Sequence, residues 1–102
     1  MIRHMVLTRF APGTDAATIA GIYAGLSALV ERLPGASGFV GGASHSPEQI
    51  ERGYKHGFTI DFDSRHALQI YAEHPEHKVL GAQLVAHAEG GVDGLIVLDI
   101  EV

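Results

Sequence analysis

The stretch YKHGFTIDF, Tyr54–Phe62, alternates large apolar or aromatic side chains with small and polar ones at every second position. Tyr54, His56, Phe58, Ile60 and Phe62 therefore share one face of an extended strand, a pattern that argues for a sheet with one packed side. The stretch IRHMVLTRF, Ile2–Phe10, alternates in the same way but is apolar on both faces, with Ile2, His4, Val6, Thr8 and Phe10 on one and Met5 and Leu7 on the other. LIVLDIEV, Leu95–Val102, is a third such segment, again apolar on both sides. ASGFVGGASH, Ala36–His45, is a weaker, glycine-rich strand, expected at an edge and bulged at Gly41-Gly42.

Helical periodicity fills the intervals. After the turn in APGTDAA, with Thr14 or Asp15 as N-cap, Ile19, Ile22, Tyr23, Leu26, Leu29, Val30 and Leu33 follow i, i+3, i+4 spacing until Pro34-Gly35 stops them. Gly21 and Gly25 weaken this helix by about 1 kcal/mol each relative to alanine, so close packing, most simply against the sheet, is expected to compensate. Ser64 caps a second helical region carrying Ala67, Leu68 and Tyr71, which Pro75 interrupts by removing an amide and biasing His74 out of the helical region. A further segment starts at Pro75, with Val79, Leu80, Leu84 and His87 on its face, and EGGVDG ends it.

The order is β-α-β-β-α-β, the split-βαβ ferredoxin-like arrangement of the α+β class, expected as one domain over residues 1–102 with a four-stranded antiparallel sheet. Right-handed crossovers put both helical layers on one face of that sheet. The opposite face, with Met5, Leu7 and alternate residues of LIVLDIEV, is then an apolar patch larger than monomers usually expose, and a second sheet is expected to cover it.

Composition narrows the function classes. Seven Lys and Arg against 12 Asp and Glu give a formal charge of −5, with no basic stripe to follow a phosphate backbone, so nucleic acid is not expected as a partner. No apolar run approaches the roughly 20 residues that cross a bilayer, so no membrane partner is expected. MIRHMVLTRF carries charge where a signal peptide needs an apolar centre, so a cytoplasmic location is expected. The absence of cysteine removes disulfides, thiolate nucleophiles and sulfur-ligated metals together. Chemistry falls to the seven histidines, among which His74 and His77 stand out in YAEHPEH, Tyr71–His77.

MIRHMVLTRF, GYKHGFTIDF, YAEHPEH and LIVLDIEV together resemble the stress-responsive dimeric α/β-barrel domain family, and the resemblance spans nearly the whole chain. It implies a homodimer whose sheets pair face to face as a dimeric α/β barrel, with a small-molecule pocket between sheet and helices. One plant member of that family is a polyketide cyclase working by intramolecular aldol condensation without a cofactor. By that resemblance His77 is matched to a general base, Tyr71 to a pocket tyrosine, Asp99 to an acid assisting the base, and His4 and His56 to pocket histidines. The implied ligand is a small apolar carbonyl or phenolic compound, with no cofactor and no metal.

Each residue also has a structural explanation. Tyr71 sits on an apolar helical stripe, His56 and His4 admit roles as hydrogen-bonded core histidines, and His77 suits a helix cap with Asp99 as its structural partner. Four polar or ionisable groups aimed into one sheet–helix layer are costly unless satisfied, and that points to a pocket. A metal reading of His74 and His77, with His45 or Glu76, matches the H-E-x-x-H pattern poorly, because i, i+3 spacing across a break is not i, i+4 on one helix. His45, His66 and His87 read as solvated or interface residues. The chain is therefore either a stress-linked dimer that binds a small apolar ligand or simply resists unfolding, or a cofactor-free acid–base catalyst.

Overall fold

A computed structural model describes residues 1–102. Strand β1 spans Ile2–Thr8, helix α1 Ala16–Arg32, β2 Ala36–Ala43, β3 His56–Phe62, α2 Arg65–Glu73, α3 Pro75–His87 and β4 Leu95–Glu101, with a short 3-10 turn at Gly91–Gly94 before the last strand. The sheet order is β2-β3-β1-β4, and every neighbouring pair is antiparallel. This is the ferredoxin-like arrangement.

Alternation sets the two faces. Ile2, Val6, Phe58, Ile60 and Phe62 point to the helices, and with Ile22, Tyr23, Leu26, Leu29 and Val30 of α1 they form the core. Each such side chain removed from water contributes about 1.5–3 kcal/mol, and Leu29, Ile60 and Phe62 are fully buried. No helix covers the other face, and Leu7, Val40, Ile96, Leu98 and Ile100 remain exposed.

Capping explains where the helices begin. Of the two expected caps for α1, Asp15 accepts the amide of Thr18 at 2.7 Å, while Thr14 donates its hydroxyl to the carbonyl of Ala11. Ser64 accepts the amide of Ala67 at 3.1 Å and starts α2. Ser64→Ala is expected to cost about 1 kcal/mol, read as a lowered urea midpoint at unchanged slope.

Several expectations are corrected. The bulge of β2 lies between Ser37 and Val40, not at Gly41-Gly42, because Gly38 takes a left-handed φ of 67°. That shift turns Phe39 inward, where it stacks on Phe58 at 5.5 Å. Gly25 is closely packed, but against α3 and not the sheet: a Cβ there would lie 2.6 Å from a methyl carbon of Leu80. Gly21 meets nothing within 4 Å. On α3, Leu84 is buried but Val79 and His87 face solvent. Tyr54 lies outside β3 and donates its hydroxyl to the carbonyl of Asp93. No helix is long and apolar enough to cross a membrane.

Candidate functional site

The break between α2 and α3 builds the site. Proline at position 75 has no amide to offer Tyr71, whose carbonyl instead accepts the amide of His74 at 3.1 Å. His74 adopts extended backbone angles and acts as the N-cap of α3, its Nδ1 accepting the amide of Glu76 at 3.1 Å. The carbonyl of Ala72, in the last turn of α2, is met by Nδ1 of His77 at 3.0 Å. A carbonyl only accepts, so that nitrogen carries the proton, and a neutral His77 has its lone pair on Nε2. The two histidines of HPEH thus hold opposite tautomers. His74 caps the helix boundary, and His77 keeps an unprotonated Nε2.

Burial, the largest influence, lowers the pKa of His77 below the usual 6.5; the Ala72 carbonyl opposes this, and positive charge on His4 and His74 adds to it. The neutral imidazole is therefore the prevailing form at neutral pH. Unfolded chains take up this proton more readily, so acidification below about 6.5 should destabilise the fold through His77.

Tyr71 is 1% exposed, with its ring 4.4 Å from that of His77, 5.8 Å from His4 and 5.1 Å from Phe62. Its hydroxyl is buried without a hydrogen-bond partner, and burial raises its pKa far above the usual 10. It stays a neutral donor. A cavity of about 400 Å³ opens beside these groups, walled by Val6 and Phe58 of the sheet, Leu26 of α1, Leu80 and Leu84 of α3, and Leu95 and Val97 of β4. His4, Tyr71, His77 and Lys78 supply its polar side.

The remaining expected residues divide. His4 lies directly opposite Asp99 in the β1–β4 register, and its Nδ1 donates to Asp99 Oδ1 at 2.6 Å. Asp99 is therefore the partner of His4, and the expected pair with His77 is not formed. His56 does not join the cavity. It lies opposite Thr8, whereas His4 lies opposite Ile60, so four residues, about 13 Å of strand, separate His56 from His4. Its ring meets Phe10 edge-on at 5.2 Å. His45, His66 and His87 are exposed. No group of three or more His, Cys, Asp or Glu side chains is placed to hold a metal ion, and His74 and His77 are each turned to a backbone group.

The sequence profile of the stress responsive A/B barrel domain matches residues 2–102. The chain belongs to this family. A stress-response A/B barrel domain-containing protein of Arabidopsis thaliana is 28% identical over 98 residues, which are 96% of this chain and 86% of that protein. A dimeric ferredoxin-like protein of unknown function from Jannaschia superposes with a TM-score of 0.93 at 35% identity, covering 99% of this chain and 98% of that one. A hydroxynitrile lyase from Passiflora edulis superposes with a TM-score of 0.86 over 99% of this chain and 92% of that one. At 19% identity that likeness speaks to the fold alone.

Sequence reasoning missed two features of this A/B barrel domain. Lys78 joins the polar wall, a position that its place directly after His77 at the start of a helix would have suggested. Val97, opposite Val6 in the register, lies on the helix-facing side of β4 where the helices leave it half uncovered, and so lines the cavity.

Proposed function

We propose that this domain acts as a homodimer that binds a small, mostly apolar molecule bearing a carbonyl or phenolic oxygen, in the cavity between the sheet and α3. The buried, unpartnered hydroxyl of Tyr71 carries this reading. An unpaired buried donor costs about 1–3 kcal/mol, and a ligand oxygen in the adjoining cavity would recover that cost. The dimer rests on the uncovered apolar face of the sheet and on the dimeric relative from Jannaschia.

A second reading, cofactor-free aldol cyclisation of a polyketide-like substrate, is favoured by the tautomer of His77. Its free Nε2 would take a proton from the carbon next to a carbonyl, and the enolate oxygen would accept a hydrogen bond from Tyr71. The enolate carbon would then attack a second carbonyl of the same chain. The resulting alkoxide would recover the proton from His77, so the base is regenerated and nothing else is consumed.

Tyr71→Phe tests the shared requirement. Removing an unsatisfied hydroxyl should leave the free protein equally stable or stabilise it by up to about 1 kcal/mol. The same change should weaken binding of a ketone probe, 4-phenyl-2-butanone, by roughly five- to tenfold in calorimetric titration. Unchanged affinity, or a destabilised free protein, would count against a ligand role for the hydroxyl.

A further inference from the structure

The charge around the cavity is lopsided. Among its lining residues are a lysine, two histidines and a tyrosine, and no aspartate or glutamate, in a chain of formal charge −5. Lys78 has no carboxylate within 4 Å. The acids nearest along the chain are otherwise engaged: Glu76 accepts a two-pronged contact from Arg32, and Glu73 accepts from the amide of Gln69 at 3.3 Å. Asp99, outside the lining, is taken by His4. His77, which lines the cavity, belongs to the first turn of the 13-residue helix α3, where the helix end is positive. Tyr71, whose buried hydroxyl lacks an acceptor, also lines the cavity.

We infer that the ligand is an apolar carboxylate, its hydrocarbon body against Leu26, Phe58 and Leu84 and its anionic end held by Lys78. This deepens the pocket reading above and rests on it. A carboxylate fits better than a phosphate ester, because one flexible ammonium and no arginine suit a single negative charge and not a dianion needing several converging donors. It also divides the labour within the site. Lys78 fixes the direction in which the ligand enters, and Tyr71 and His77 are left to meet an oxygen deeper along it.

The experiment compares 4-hydroxycinnamate with its methyl ester, titrated calorimetrically at pH 7.5 into wild type, Lys78→Met and Lys78→Arg. Wild type should prefer the acid over the ester by about fivefold, a size set by one partly exposed ion pair. Raising the salt from about 50 to about 500 mM should erode that preference without affecting the ester. Methionine keeps the stem and removes the charge, so the preference should vanish; arginine should retain it. Equal binding of acid and ester to wild type, or a preference that survives in Lys78→Met, would overturn the assignment while leaving the pocket reading intact. Failure of both probes to bind wild type would overturn the two together.

Discussion

His77→Gln should abolish turnover, by roughly a hundred- to ten-thousandfold, in any carbonyl-directed reaction the cavity performs, because glutamine fills a similar volume but has no basic nitrogen. The change separates the two readings of the site. For binding alone, the amide introduced by the substitution still donates and accepts, so affinity for a phenolic probe should survive at pH 7.5. Its pH dependence should not. In wild type the lone pair on Nε2 accepts from the phenol only while His77 is neutral, and burial holds its pKa below 6.5, so affinity should fall as pH drops below that value. A variant that keeps the full wild-type slope would remove His77 as the acceptor. A variant that keeps full turnover would remove it as the base.

Leu98→Asp should dissociate the dimer. Leu98 is 50% exposed in the protomer and lies opposite Met5 in the β1–β4 register, within the uncovered patch that also holds Leu7, Ile96 and Ile100. In a two-fold interface each substitution occurs twice, so two carboxylates would lose their water together. Burying unpaired charge costs several kcal/mol, so the dimer should weaken by at least about a thousandfold. Sedimentation velocity at micromolar concentration would read this directly. The released monomer exposes its whole apolar face, so its melting temperature should fall and become independent of concentration, whereas that of wild type rises with concentration. A wild-type monomer, or a dimer untouched by the substitution, would sink the face-to-face arrangement.

The strands and helix starts were legible because each depends on a local rule. Alternation in Tyr54–Phe62 marked β3 and its packed face, and a serine before Arg65 and a proline after His74 bounded α2. What escaped depends on distance along an element or on pairing between elements. Alternation put His4 and His56 on one face without saying how far apart they lie, and the register separates them. Strands apolar on both sides leave register weakly specified, so nothing in LIVLDIEV showed that Asp99 would meet His4. The three groups that do converge, His4, Tyr71 and His77, are set by the break at Pro75 and by the packing of α2 and α3 against the rest of the fold. Only the first of these is written locally. The bulge was displaced by a few residues because Gly38, Gly41 and Gly42 each offer a place for it within one strand.

The hydrogen bond from His77 to the Ala72 carbonyl has an evolutionary consequence. Its acceptor is backbone, and every residue type carries the same carbonyl, so the orientation of the imidazole survives substitution at position 72. The apolar walls, by contrast, are side chains from five separate elements, including Leu26, Phe58, Leu84 and Val97. Drift at those positions can reshape the cavity one residue at a time while the imidazole keeps its aim. A lineage built this way can change the shape of its cavity without first losing and rebuilding the setting of His77.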